Sequence, residues 1–147
     1  MTIDAGAMES ALLVHLKTLT PAWSTKKIGV PFVPAPNQPW QRGTFMPGKP
    51  DTVGFGNGAY SRLYGVYQVD LFYPKQAGET LTLFNRAKAV RDLFFPTHRR
   101  GLQLTAGDGA IEIEQLPAIS QLIEGDVTFN QIFIEIPFRA DDAPSAA

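Results

Sequence analysis

The chain has no cysteine among its 147 residues, which excludes disulfides, thiolate nucleophiles and every metal site built on sulfur. An excess of one charge is also missing. Its 13 basic residues face 14 acidic ones, a net −1, so no global field draws the protein to nucleic acid or to an anionic membrane. No apolar run nears the roughly 20 residues that a membrane helix requires. The N-terminus has no basic region followed by an apolar stretch, so a secretory signal is not expected. Histidine is limited to His15 and His98. No serine stands in a nucleophile elbow, and a Ser-His-Asp site would need distant residues to converge. Gly54-Phe55-Gly56-Asn57-Gly58 lacks both the G-x-G-x-x-G spacing and a Walker lysine, and it leads into a strand where an anion site needs a helix N-terminus. Together these absences argue against an enzyme, and no cofactor or bound nucleotide is expected.

What remains is an apolar fraction of 44% and a charged fraction of 18%, ordinary for a globular chain long enough to bury a core as one domain. Its most unusual stretch runs from Pro31 to Gly58. Six of the 12 prolines and five of the 13 glycines fall there, with Phe32, Trp40, Phe45 and Phe55, while the charges are only Arg42, Lys49 and Asp51. Loops of this length inside a domain are usually functional or disordered, and disordered segments are poor in aromatics and rich in charge. The composition here is the reverse. It predicts a long arm that orders against its own domain, a neighbouring copy or another protein. Interfaces favour aromatic, Met and Arg residues, which marks Trp40, Arg42, Phe45, Met46 and Phe55 as candidate contact residues. The alternative is that the arm folds back over its own sheet edge.

Periodicity organises the rest. Apolar residues at helical spacing predict a first helix from about Asp4 to Leu19, capped by Thr2 or Asp4 and closed by Pro21. A short extended piece over Lys27 to Val33 is restricted by Pro31 to an edge. Ser61 to Tyr73 alternates as a strand, with Tyr67, Val69, Leu71 and Tyr73 on one face and Val66, Gln68, Asp70 and Phe72 on the other. Leu83, Ala87, Val90 and Phe94 form one helical stripe; Asn85, Arg86, Lys88, Arg91 and Asp92 make its wet side. Leu102 to Thr105 and Ile111 to Gln115 read as a hairpin around Asp108-Gly109. Leu116 to Gly125 fits a loop or one helical turn. Val127 to Phe138 is the last strand, with Ile132, Ile134, Ile136 and Phe138 inward. The expected fold is α+β: an antiparallel sheet of about four main strands, two helices packed on one face and the long 31–58 loop. One domain would span 1–138, with a flexible tail over 139–147.

Three clusters invite chemistry. Glu112 and Glu114 share a strand face and could do acid-base work or bind a divalent ion. They alternate with Ile111 and Ile113, so a solvated face is the better reading. His98, Arg99 and Arg100, with Arg86, Lys88 and Arg91 before them, could meet phosphates. A solvated helix end, where the macrodipole favours positive charge, is the better reading, because no aromatic interleaving or binding motif accompanies the cluster. Tyr60, Tyr64, Tyr67 and Tyr73 could line a small-ligand pocket.

Taken as a whole, the chain resembles the tail-terminator proteins of long-tailed bacteriophages and prophages. The likeness rests on the opening amphipathic helix, the Pro-Asn loop Val33-Pro34-Ala35-Pro36-Asn37-Gln38-Pro39-Trp40, the strand Gly65-Val66-Tyr67-Gln68-Val69-Asp70-Leu71-Phe72-Tyr73-Pro74, and the helix end Val90-Arg91-Asp92-Leu93-Phe94-Phe95-Pro96. The resemblance implies a non-enzymatic subunit of a homo-oligomeric, hexameric ring at the head-proximal end of the tail tube. Such a ring stops tube growth and offers a head-attachment surface. The implied partners are other copies, the tail-tube protein and a head-tail connector protein, with no membrane and no sequence-specific nucleic acid. The implied location is the bacterial host cytoplasm during assembly, then the virion tail. A head-tail neck or adaptor protein is the alternative within the same setting. If DNA passes through the ring, Arg86, Arg91, His98, Arg99 and Arg100 are candidates to face it.

Overall fold

Asp4 starts the first helix. Its Oδ1 accepts from the Ala7 N–H at 3.1 Å, satisfying one of the donors that a helix N-terminus leaves free. In the computed structural model, which describes residues 4–27, 29–75, 80–96, 102–106, 109–124 and 128–142, helix α1 (Ala5–Leu16) buries Met8, Leu12 and Leu16. This i, i+4, i+8 spacing is one helical face. The helix stops short of the expected Leu19, where Thr18 Oγ1 donates to the His15 carbonyl at 2.6 Å.

Strand β1 (Ser24–Lys27) forms upstream of the expected 27–33 piece and pairs in parallel with β2 (Trp40–Pro47). That second strand lies inside the segment expected to be a long irregular arm. Its prolines sit just outside or at the end of the strand, at Pro39 and Pro47, where they remove few ladder bonds. Gly43 does not break the strand, because the Tyr67 hydroxyl sits 1.9 Å from where its Cβ would be. The glycine is the space that the tyrosine fills. β3 (Asp51–Val53) then pairs with the first residues of β4 (Tyr60–Pro74), and a short 3-10 turn over Gly56–Gly58 lies between them.

β4 and β8 (Phe129–Asp142) form the antiparallel centre of the sheet, with Tyr67 opposite Ile136, Val69 opposite Ile134 and Leu71 opposite Ile132. Opposed residues share a face, so these six side chains make one apolar surface. Helix α2 (Thr80–Phe94) presses its buried Leu83, Ala87, Val90 and Phe94 into the same core cluster as α1. Both helices thus cover one face. His15 joins them: its Nε2 lies 2.9 Å from the Leu93 carbonyl and its ring meets Phe94 edge-on at 5.0 Å.

β5 (Gln103–Ala106) and β6 (Gly109–Glu112) form the expected antiparallel pair, and β6 continues onto the end of β8. The ambiguous 116–125 segment supplies β7 (Ala118–Ile119), also on β8, and an isolated bridge from Ile123 to Gln131. The sheet therefore has eight strands, ordered β1-β2-β4-β8-β6-β5 with β3 on β4 and β7 on β8. It is mixed, since β1 runs parallel to β2. This corrects the expectation of about four strands, all antiparallel. The sheet curls so that α1 touches both β2 and β5. β8 also outruns the expected boundary at 138. Its alternation continues with buried Ala140, and the strand holds β6 through residues 139–142; residues 143–147 lie outside those described.

Candidate assembly surface

The face of the sheet turned away from the helices carries Trp40, Arg42, Thr44 and Met46 from β2, Tyr64 to Phe72 at even positions of β4, and Gln131 to Arg139 at odd positions of β8, as the register requires. Polar residues here are not simply solvated. Asp70, only 1% exposed, accepts from Arg42 Nε and Nη2 at 3.2 and 3.1 Å, and from the side-chain amides of Gln68 and Gln131 at 3.0 Å each. A buried carboxylate is tolerated only when its lone pairs are filled in this way. Sequence reasoning missed this network, because its donors come from three strands whose register is not visible locally.

Of the five candidate contact residues, three are engaged within the subunit. Trp40 stacks on Phe72 at 3.9 Å with planes 8° apart, and Phe32 and Phe129 flank it at 5.4 and 6.3 Å. Phe45 points to the opposite, helix-covered side and stacks on Phe138 at 5.5 Å. Arg42 is tied to Asp70 and lies over the Phe72 ring at 5.4 Å. The other two are offered outward. Met46 is 41% exposed and Phe55 100% exposed. Phe55 rides at the tip of the β3–β4 hairpin between Gly54 and Gly56, whose φ angles of +86° and +69° suit glycine. The arm thus contributes two strands to the sheet, with an aromatic knob at the turn after the second.

The basic candidates separate as well. Arg86, expected on the wet side of α2, is buried, and its guanidinium lies 4.6 Å over the Trp23 ring. It falls three residues after Leu83 and four before Val90, at the edge of the apolar stripe, so helix geometry turns it inward. Arg91 pairs with Asp92 at 3.3 Å. His98, Arg99 and Arg100 lie outside the described residues. Nor do the four tyrosines line one pocket: Tyr67 is core, whereas Tyr64, at 62% exposure, points to the other face.

Glu112 and Glu114 are not a free acidic pair. Both hold Arg139, Glu112 in a tight contact with Nη2 and Glu114 at 2.6 Å from Nη1. Arg139 also approaches Asp141 at 3.4 Å, and Asp141 pairs with Arg62 at 2.7 Å. These ion-paired charges flank an open cleft lined by Tyr64, Glu114, Gln115, Pro137, Phe138 and Arg139. Among the described residues, no group of three or more His, Asp or Glu side chains is arranged to hold a metal, and no helix is long and apolar enough to cross a membrane.

Residues 7–138 match the family model described as phage tail terminator protein, and the chain belongs to that family. A comparison with curated protein sequences gives no match. One solved structure is similar over 95% of this chain and 96% of its own, with a TM-score of 0.66 and 20% sequence identity; at that identity the likeness is one of fold. Family membership makes the chain a structural component of a phage tail.

Proposed function

We propose that copies of this chain close into a hexameric ring on the head-proximal end of the tail tube, stop its growth and present the surface to which the head attaches. Family membership supports the tail setting. The observation that favours self-assembly is Phe55, a large aromatic fully exposed at a hairpin turn. Scattered apolar residues need no explanation. A phenyl ring held clear of the protein by a β-hairpin, with Met46 and Tyr64 exposed on the adjoining strands, fits a contact left open until assembly. The partners in this reading are other copies, the tail-tube protein and a head-tail connector protein. The site of assembly is the host cytoplasm. Any DNA passing through the ring would meet Arg91 in weak, salt-sensitive and sequence-independent fashion.

Tails assembled without this chain test the reading. Electron microscopy should show tubes of unregulated length that fail to join heads. Tubes of the normal, narrow length distribution would contradict it.

A further inference from the structure

Two unfilled features of opposite shape lie on the same chain. One is the Phe55 knob. It is 100% exposed, so its ring does not pack on the subunit's own surface. The other is the cleft beside Tyr64 and Pro137. Tyr64 lies four residues along β4 from Tyr60, the residue paired with Val53 at the hairpin base, and it is 62% exposed. An aromatic ring and a proline make a floor suited to a phenyl group. The rim is polar and ion-paired: Arg139 is shared by Glu112 and Glu114 and approaches Asp141, which also holds Arg62, so three carboxylates face two guanidiniums. Every charge on this rim already has an ion-pair partner, and the one carboxylate in excess disfavours an anionic visitor while leaving an uncharged knob unopposed.

We propose that Phe55 of one copy seats in the cleft between Tyr64 and Pro137 of the next copy. Each subunit then gives one knob and receives one, a head-to-tail contact that uses two different patches of the same chain and so propagates from copy to copy. Gln115, on the cleft wall, has a neutral amide that can border an aromatic ring without the desolvation that a carboxylate would suffer. The inference rests on the reading of the chain as a ring-forming tail component for the setting in which copies meet. It adds which surfaces meet.

The experiment is photo-crosslinking on purified tails that carry p-benzoylphenylalanine at position 55, which keeps an aromatic knob in place. Crosslinked peptides should join position 55 of one copy to the segment around Tyr64, or to 114–115 or 137–139, of another. A tagged copy without the probe identifies the link as intermolecular. Crosslinks to the tube protein, to position 55 of another copy, or to nothing while several copies are present would overturn the proposal and leave the ring reading standing. Tails that carry no assembled copies would overturn the ring reading itself, and the contact with it. A second measurement is a double-mutant cycle. Phe55→Ser and Tyr64→Ala should each weaken self-association about tenfold or more, with thermal melting of the isolated chain unchanged for Phe55→Ser. The double variant should be no weaker than the worse single one, because both changes remove the same contact. Full multiplication of the two effects would show that the residues do not meet.

Discussion

Ile134→Asp is expected to abolish folding. Ile134 is 0% exposed, faces Val69 across β4 and Ile119 across β7, and sits in the cluster that both helices cover. Removing the isoleucine forfeits about 1.5–3 kcal/mol of burial. Placing an unpaired carboxylate in its position adds several kcal/mol more, or forces the group to take up a proton. A domain of this size has only about 5–15 kcal/mol to lose. Circular dichroism should show no cooperative thermal transition. Glu135→Gln, at an exposed position on the opposite face, should melt within about 0.5 kcal/mol of the parent. A parent-like melt for Ile134→Asp would show that the apolar face is assigned to the wrong side.

Arg86→Ala should cost about 3 kcal/mol or more, a loss larger than any exposed arginine would give. Its guanidinium donates to the Pro21 carbonyl at 2.5 Å and to Gln41 Oε1 at 3.1 Å, and Gln41 in turn donates to Thr25 Oγ1 at 3.0 Å. One side chain therefore ties α2 to the turn before β1, to β1 itself and to β2. Burial pushes its pKa down to about 10, so it remains cationic at neutral pH while paying for desolvation. Alanine would leave the Gln41 and Pro21 acceptors unpaired and vacate the space over Trp23. Arg86→Lys should recover only part of the loss, because one ammonium cannot reproduce a planar fork that donates in two directions and stacks on an indole. Chemical denaturation checks this; equal stability of Arg86→Ala and parent would remove Arg86 from the account of how the sheet edge is held.

These two sites differ in how far the sequence revealed them. Ile134 stands in a run of alternating isoleucines, and Val69 and Leu71 alternate in step with it. Period-two patterning needs no partner to be read, and so the central strands and their core face were legible. The stripe of α2 was legible for the same reason at period 3.6. Arg86 was not, although its spacing from Leu83 and Val90 places it beside that stripe. Its burial depends on Trp23, Pro21 and Gln41, which arrive from distant segments. β2 was hidden by composition: prolines flank it, and Gly43 looks like a breaker until Tyr67 is seen to fill its place. Trp40 and Phe45 were singled out as candidate contacts with a neighbour or the tube, and each has an aromatic partner within the subunit. Which partner they take is set by the pairing of β2 with β4, and that register supplies Phe72 for one and Phe138 for the other. Phe55, at a turn with no strand opposite, is fully exposed, and Met46 near the end of β2 is 41% exposed.

In the proposed reading, this chain ends the tail tube as a closed ring of identical copies. Electron cryomicroscopy of purified tails tests it most directly, by locating the chain and counting its copies. The expected result is a single hexameric ring at the head-proximal end, with the β3–β4 hairpin of each copy against its neighbour. Copies distributed along the tube, or tails complete without the chain, would contradict it.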